Sequence, residues 1–299
     1  MDLKDYRYNG TGEFHIGEQA TTPPADYQNQ EKAIKKEIKK EIKKEIKKDR
    51  KVLQDAQEKM YAQNQFGILI LFQALDAAGK DGMIKHVMRG VNPQGTTVTP
   101  FKVPTANELA HDYLWRTRVA FPRSGEIAIF NRSYYEEVLV DQVHPANVLS
   151  EHIPGITSVK DVDNKLWQQR YSDFRELEAF ANRNGIIILK FFLHLSKGEQ
   201  KKRFLARIEV PEKNWKFSEN DINERQYWDQ YQRAYEEMIR HTSTKENPWY
   251  VIPADDKWYS RLIVSKIINT RIGALPLHFP QVTDEQKKGL HAALDKLED

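Results

Sequence analysis

One short loop of the sequence combines glycines, a lysine and a carboxylate in an order that suits phosphate chemistry. The apolar run 66–75 (FGILILFQAL) leads directly into ALDAAGKDG, and a helical pattern follows. A strand, a glycine-containing loop and a helix N-terminus in this order predict a phosphate-binding loop. Ala74 replaces the usual first glycine and Asp81 the usual serine or threonine, yet the context favours phosphate binding over a plain strand-to-helix turn. The predicted contacts are Ala78, Gly79, Lys80, Asp81 and Gly82.

Asp76 is an unexpected member of such a loop, because a carboxylate repels phosphate unless a cation lies between them. Mg²⁺ would supply that cation, since it prefers oxygen ligands and bridges phosphate groups. We therefore predict that Asp76 is a metal ligand. The alternative is an acidic residue that interacts with the N-terminal end of the helix dipole.

Further cations follow the loop. Lys85 and Arg89 have the i, i+4 spacing that places two side chains on one helix face. This spacing predicts a row of charges for an extended phosphate chain, or alternatively a solvated basic face. Arg116, Arg118 and Arg123 form a second cluster, which we predict grips the phosphate of an acceptor nucleotide.

The apolar run 125–131 ends in Asn131-Arg132. The carboxyl end of a parallel strand beside a phosphate loop is where a second phosphate group is expected, and Arg132 suits bidentate contact. Asn131 is a poor base, but a phosphate acceptor has no proton to lose, so positioning and charge neutralisation suffice. We expect Glu136 to close a helix capping box with Ser133, whereas Glu137 is predicted to belong to the site.

A basic segment at 196–215 (SKGEQKKRFLARIEVPEKNW) combines a helical pattern with a proline-containing polar stretch. This composition is typical of a lid that closes cations over a transferring phosphoryl group, and a solvated helix is the alternative. Arg203 and Arg207 lie one helical turn apart in it and are predicted phosphate contacts.

The elements that must position these residues are short apolar runs separated by helical stretches. The runs are 66–75, 95–103, 125–131, 185–195 and 249–255. Near-continuous apolar strands that alternate with helices predict an α/β fold with a parallel sheet of about five strands, helices on both faces and a basic helical lid. The expected divisions are an extended arm at 1–30, a charged helix at 31–63, a kinase domain at 64–280 with the lid at about 196–224, and a C-terminal helix at 281–299.

The helix at 31–63 carries a near-perfect EIKK repeat, which natural duplication or design could each produce. Its isoleucines recur every four residues, so their stripe advances about 40° per step and winds round the helix. Glu37, Glu41 and Glu45 alternate with the lysines, which favours a solvated amphipathic helix. A polyanion-binding face and a membrane-surface face are the alternatives.

Composition excludes several classes. The 299 residues are 39% hydrophobic and 11% aromatic, which excludes a disordered or low-complexity chain. The absence of cysteine excludes disulfides, thiolate metal sites and a cysteine nucleophile, and predicts a reducing, cytoplasmic location. A net charge of +3 gives no argument for nucleic acid, and no apolar run approaches the roughly twenty residues of a membrane span. Neither a signal peptide nor a zinc or serine-nucleophile motif is predicted.

Taken together, the motifs resemble the polyphosphate kinase 2 family over residues 31–272. They are ALDAAGKDG, HVMRGVNPQG, ELAHDYLWR, IFNRSYYEEVLV, LSKGEQKKRFLAR, NWKFS and PWYVIPADDKWY. The resemblance implies a thymidylate-kinase-like P-loop fold, a homo-oligomer and Mg²⁺-dependent phosphoryl transfer between inorganic polyphosphate and AMP, ADP or ATP. It implies Walker A roles for Asp76 and Lys80 and Walker B roles for Asn131 and Arg132.

The stretch FNRSYYEEVLV is similar to the class III branch of that family, which implies that AMP is phosphorylated as well as ADP. Two alternatives remain at this point. One is an ATP-dependent nucleotide or small-metabolite kinase on the same fold, and the other is a non-catalytic polyanion-binding protein that uses the lysine-rich helix.

Overall fold

The computed structural model describes residues 2–297, so Met1 of the predicted arm and the last two residues of the predicted C-terminal helix lie outside it. The strands are β1 (Arg7–Tyr8), β2 (Gly67–Gln73), β3 (Thr96–Pro100), β4 (Ile127–Asn131), β5 (Ile186–His194) and β6 (Trp249–Pro253). The helices are α1 (Ala25–Gln28), α2 (Lys32–Gln63), α3 (Lys80–Val87), α4 (Ala106–Leu109), α5 (Trp115–Val119), α6 (Glu136–Val143), α7 (Asn164–Arg183), α8 (Lys197–Glu209), α9 (Glu219–Glu224), α10 (Trp228–Thr242), α11 (Lys257–Gly273) and α12 (Asp284–Leu297).

The sheet has the strand order β1-β6-β5-β2-β4-β3. The five strands β2 to β6 are parallel, which confirms the predicted parallel sheet. Every residue of the central strand β2 is buried, because helices cover both faces of the sheet. This burial explains why the strand sequences are continuously apolar and do not alternate.

The sixth strand was not expected from the sequence. Strand β1 pairs antiparallel with β6, with Arg7 opposite Tyr250 and Tyr8 opposite Trp249. Farther along the same arm, Phe14 and Ile16 are buried in the hydrophobic core. Isolated residues of the arm make its contacts with the sheet and the core. Sequence periodicity detects only longer helices and strands, so the arm showed no periodic pattern.

Two layers of helices enclose the sheet. Helices α2, α3 and α11 cover one face, and α6, α7 and α10 cover the other. On α2, Ile42 and Ile46 are buried against the first core, whereas Ile34 is 45% exposed. The stripe leaves the core because its period of four residues carries it round the helix. Among the described helices, none is both long and apolar enough to cross a membrane.

The connections between strands create a crevice at one edge of the sheet. From β2 the chain runs to the β3 edge, and from β5 it runs to β6 on the other side. The loops that follow these neighbouring strands therefore leave in opposite directions, which is where α/β sheets bind their ligands. The register aligns Phe72 with Asn131 of β4 and with Phe191 of β5, so the strand ends meet at one level.

Candidate active site

A cleft of about 470 Å³ lies at the carboxyl ends of the parallel strands. The structure brings together in it most of the residues predicted to act on phosphate. They are Asp76, Ala78, Gly79, Lys80, Asp81, Gly82, Asn131, Arg132, Arg203 and Arg207. Asp76 and Asp81 are the only acidic residues among the described lining residues, and lysines and arginines clearly outnumber them. The cleft therefore presents a strongly positive surface to a ligand.

The phosphate loop, residues 74–82, has the tight backbone that its glycine predicted. Gly79 has φ +102°, a left-handed conformation that residues with a side chain rarely adopt. Helix α3 starts at the next residue, so its unpaired first-turn amides point towards the cleft. Lys80 Nζ donates to the carbonyl oxygen of Ala74 at 2.7 Å. Burial, followed by the charge of Arg132, lowers the pKa of Lys80, and a bound phosphate would oppose that shift.

Arg203 reaches the phosphate loop from helix α8, and its donors are all directed at protein groups. Its Nη1 donates to the carbonyls of Ala77 at 3.2 Å and Ala78 at 2.7 Å, while Nη2 donates to those of Ala254 and Asp255. Nε donates to the carboxylate of Glu199 at 2.9 Å. An arginine carries five N–H donors, so none is left over for a ligand in this arrangement. Arg203 therefore fixes the loop and the end of β6, and its predicted phosphate contact would require some of these bonds to break.

Asp76 and Arg132 form an ion pair at the inner end of the cleft. Arg132 Nη2 donates to Asp76 Oδ1 at 2.7 Å, and Nη1 donates to Glu136 Oε2 at 2.9 Å. Glu136 is thus occupied by Arg132, and its predicted capping box with Ser133 is wrong, since α6 begins after Tyr135 and has no side-chain cap. Ser133 instead accepts from the buried amide of Gln73. Arg132 has φ +65°, a strained conformation of the kind that clusters at functional sites.

Asn131 lies beside the phosphate loop, as its place at the end of β4 predicts. Its Nδ2 donates to Asp81 Oδ1 at 2.8 Å, which leaves the amide oxygen of Asn131 available as an acceptor. Asp81 is 70% exposed, and its second oxygen lies 3.7 Å from Lys216 Nζ of the lid. Oxygen atoms of carboxylates and amides therefore lie in the same cleft as the cations.

Lys102, the cation at the end of the run 95–103 that the sequence suggested for an extended phosphate chain, lines the cleft. Four further cations line it that sequence reasoning did not assign to the site, namely Lys213, Lys216, Lys257 and Arg261. Lys257 and Arg261 project from the first turns of α11, directly after β6, and burial lowers the pKa of each. A usable signal was present in the sequence, because two cations spaced i, i+4 follow immediately after an apolar strand. Lys213 and Lys216 gave no such signal, since a 3₁₀ turn at Pro211–Lys216 places them.

Lys85 and Arg89 are exposed and do not line the cleft. Helix α3 ends at Val87, so the expected shared helical face does not extend to Arg89. Arg207 does line the cleft, but its Nη1 donates to Asp221 Oδ2 at 2.8 Å within the lid. In this arrangement Arg207 stabilises the lid itself.

The three arginines of the predicted nucleotide-binding cluster each pair with a different carboxylate. Arg118 makes two hydrogen bonds to Asp112, and Arg123 pairs with Glu126. Arg116 is buried, donating to the carbonyl of Lys102 at 2.7 Å and to Glu137 Oε1 at 2.9 Å. Of the predicted nucleotide contacts, Arg132 alone lines the described part of the cleft.

Glu137 lies in a buried cluster behind the cleft wall. Its neighbours are Asp141, Glu151, Arg116 and Arg170, and the carboxylate oxygens lie within 4.8 Å of one another. Burial, followed by Asp141 and Glu151, raises the pKa of Glu137, while the two arginines oppose that shift. Because Arg116 holds both Glu137 and the backbone of Lys102, Glu137 supports the wall of the cleft, and it is not among the described residues that line it.

Comparison with known proteins extends these observations. Residues 36–276 match the family model described as Polyphosphate kinase 2 (PPK2). The chain is 52% identical to the ADP-polyphosphate phosphotransferase of Rhodopseudomonas palustris, over 80% of this chain and 81% of that protein. It is 46% identical to the AMP/ADP-polyphosphate phosphotransferase of Meiothermus ruber, over 79% and 83% respectively. The crystal structure of polyphosphate kinase 2 from Arthrobacter aurescens has a TM-score of 0.79 at 32% identity, covering 96% of this chain and 95% of that one.

Proposed function

This chain belongs to the polyphosphate kinase 2 family, and from that premise we propose that it transfers the terminal phosphoryl group of inorganic polyphosphate to AMP and ADP, giving ADP and ATP. The reaction is reversible, because the bond broken and the bond formed are both phosphoanhydrides. The observation that carries the proposal is the excess of cations round Lys80 in the cleft. A polyanionic donor needs such a surface, whereas one nucleotide would need far fewer charges.

The donor polyphosphate lies between α11 and the lid. Lys257 and Arg261 line one side of the cleft, and Lys213 and Lys216 come from the lid on the other side. The end of the chain reaches the phosphate loop, where the amides at the start of α3 and Lys80 bind the transferring group. Arg203 keeps these amides in position through the carbonyls of Ala77 and Ala78.

The acceptor nucleotide approaches Arg132, whose guanidinium is already oriented by Asp76 and Glu136. Its phosphate oxygen is ionised and attacks in line, so no side chain has to remove a proton. Consistent with this, no histidine or glutamate occurs among the described residues that line the cleft. Catalysis by these residues consists of positioning and of neutralising the negative charge that the two substrates bring together.

Mg²⁺ fits the donor set of the cleft. The carboxylates of Asp76 and Asp81 and the amide oxygen of Asn131 are hard oxygen donors, which this ion prefers. Asp76 would hold the ion, with Asp81 as a second oxygen donor. When bound, Mg²⁺ would offset the negative charge of the phosphate groups.

The proposed lid consists of helix α8, the Pro211–Lys216 turn and helix α9. Its cations close over the donor. We further propose a homo-oligomer in the cytoplasm. The family resemblance supports the assembly, and the absence of cysteine from all 299 residues supports a reducing compartment.

The deciding experiment is chromatographic analysis of products after mixing the protein with Mg²⁺, polyphosphate and either AMP or ADP, with no ATP present. We expect ADP and ATP from AMP, and ATP from ADP. Lys80→Ala, analysed beside the unmodified protein, serves as the control for contaminating kinases.

Product from ADP alone would remove AMP from the substrates. Product only when ATP replaces polyphosphate would favour an ATP-dependent kinase. Salt-sensitive binding of polyphosphate without any turnover would identify a polyanion-binding protein.

A further inference from the structure

Six exposed lysines of helix α2 form two sets that differ in their ion pairs. Lys40, Lys44 and Lys48 each lie within 4.0 Å of a glutamate three residues earlier, at 2.7, 3.7 and 2.8 Å respectively. A second set, Lys36, Lys39 and Lys43, is exposed and makes no ion pair with any described residue. At about 100° per residue, this second set lies with Arg50 inside an arc of about 60° on the helix. This arc of α2 carries no carboxylate, whereas the neighbouring face carries the three Glu–Lys ion pairs.

This arc of α2 points towards helix α3 and the residues that follow it. Arg50 Nε donates to the carbonyl of His86 at 2.7 Å, and Gln54 Nε2 donates to that of Arg89 at 3.3 Å. Lys85 and Arg89, the two predicted phosphate contacts that miss the cleft, are exposed beside this junction. The charge of Arg89 adds to burial in lowering the pKa of Arg50.

Trp258 connects this face to the cleft. Lys43 Nζ lies 4.8 Å from the centre of its ring, and the guanidinium carbon of Arg261 lies 4.7 Å from it. Arg261 lines the cleft, so the Trp258 ring contacts both a cation of the cleft and a cation of α2. The cations therefore continue from the cleft, past one indole ring, onto the surface of α2 without an intervening carboxylate on that face.

We propose that Lys36, Lys39, Lys43, Arg50, Lys85 and Arg89, here called the outer cation track, bind the part of a long polyphosphate chain that extends beyond the cleft. The inference rests on the proposed function for the identity of the polyanion. One ligand would then account for the three exposed lysines of the track and for Lys85 and Arg89, which lie outside the cleft. From Lys36 to Arg50 the track is about 21 Å long, at about 1.5 Å per helical residue. Short chains end inside the cleft and do not reach it, so the track favours long donors.

The test compares two triple variants that each remove three positive charges from α2. The track variant is Lys36→Ala, Lys39→Ala and Lys43→Ala, and the control is Lys40→Ala, Lys44→Ala and Lys48→Ala. For each protein, the KM for long-chain polyphosphate is divided by the KM for tetrapolyphosphate, with ADP and Mg²⁺ in excess. We expect this ratio to rise about tenfold in the track variant, since three exposed charge contacts of about 0.5 kcal/mol each combine. The ratio of the control should equal that of the unmodified protein.

Equal ratios in all three proteins would overturn the track, and so would an equal rise in both variants, because net charge would then suffice. If the unmodified protein transfers nothing even from tetrapolyphosphate, the proposed function fails and not the track. The track is then decided by titration calorimetry with long-chain polyphosphate at several salt concentrations. The track variant should bind more weakly and with a smaller salt dependence than the control. Duplex DNA that binds as tightly and loses as much in the track variant would overturn polyphosphate as the ligand.

Discussion

Two regions of this molecule concentrate charged side chains, and they differ in how those charges are matched. In the cleft, Lys102, Lys257 and Arg261 make no ion pair with a described residue, and the two carboxylates are outnumbered. In the buried cluster behind it, Arg170 makes hydrogen bonds to both oxygens of Glu151 at 2.7 and 2.6 Å and to Asp141 at 2.9 Å. The side chain of Arg170 is 1% exposed.

The difference separates charges that remain available to a ligand from charges that hold the protein together. An uncompensated cation in a solvated cleft costs little in the empty protein and leaves its donors for a polyanion. A buried arginine is stable only if carboxylates match it, and it then has little left to offer a ligand. Arg203 is intermediate between these two cases. It lines the cleft, but its Nη1 and Nη2 groups donate to backbone carbonyls.

Among the variants that test this comparison, Asp76→Ala and Lys80→Ala should have the largest effect on activity. Each removes a group at the reacting end of the cleft, so we expect transfer from polyphosphate to fall by about a thousandfold. Activity with ADP measures the loss, and an unchanged thermal unfolding midpoint shows that the fold is intact. Near-normal turnover in either variant would refute the assigned roles.

Arg170→Met tests the opposite region. It leaves the carboxylates of Asp141 and Glu151 buried without their partner, so we expect the free energy of unfolding in urea to drop by about 3–5 kcal/mol. Burial already raises the pKa of Glu151, and removal of Arg170 raises it further. A buried carboxyl with a raised pKa is stabilised in its protonated form, so the loss should be smaller at mildly acidic than at mildly alkaline pH. A loss that is small at both pH values would show that the cluster is not structural.

Lys257→Ala should have a smaller effect, and on binding alone. Its charge faces the cleft without an ion-pair partner among the described residues, so we expect the KM for polyphosphate to rise about fivefold, equivalent to about 1 kcal/mol. The free energy of unfolding should stay within about 0.5 kcal/mol of the unmodified protein. A drop in stability similar to that of Arg170→Met would remove the distinction between the two regions.

The pH profile should show the smallest effect. Burial and Arg132 lower the pKa of Lys80 from its ordinary value of 10.5, and the protonated form is the one that binds phosphate. The value of kcat/KM should therefore decline on the alkaline side below that pH, since it reports the free enzyme. The decline in kcat should lie at higher pH, because bound phosphate favours the charged lysine. Coinciding alkaline limbs for the two parameters would contradict this role of Lys80.

The sequence predicted the parts of the site that follow directly after strands. Lys80 and Arg132 lie in the cleft because each belongs to a loop at the carboxyl end of a continuous apolar run. Two cations spaced i, i+4 indicate a place in the cleft only where they directly follow a strand. Lys257 and Arg261 begin a helix at the strand end and line the cleft. Lys85 lies five residues beyond Lys80, Arg89 follows the end of α3, and neither lines the cleft.

Partners distant in the chain could not be predicted. Arg203 is 125 residues from Ala78, and Arg116 is 21 residues from Glu137, so local patterns carry no record of either pair. The sequence interpretation therefore assigned both arginines to phosphate, while the structure shows that tertiary contacts occupy them. Residue type indicated the chemistry available, and only the fold shows which donors remain unused.

The short strand β1 has a consequence for solubility. Without it, the edge of β6 would present a row of unpaired N–H and C=O groups, which is a template for pairing with another chain. Two residues of the arm occupy that edge, and Phe14 and Ile16 anchor the segment that follows in the core. A protein shortened at its N-terminus would keep every residue of the cleft and yet expose an adhesive sheet edge. The arm therefore shields the sheet from aggregation, although none of its described residues lines the cleft.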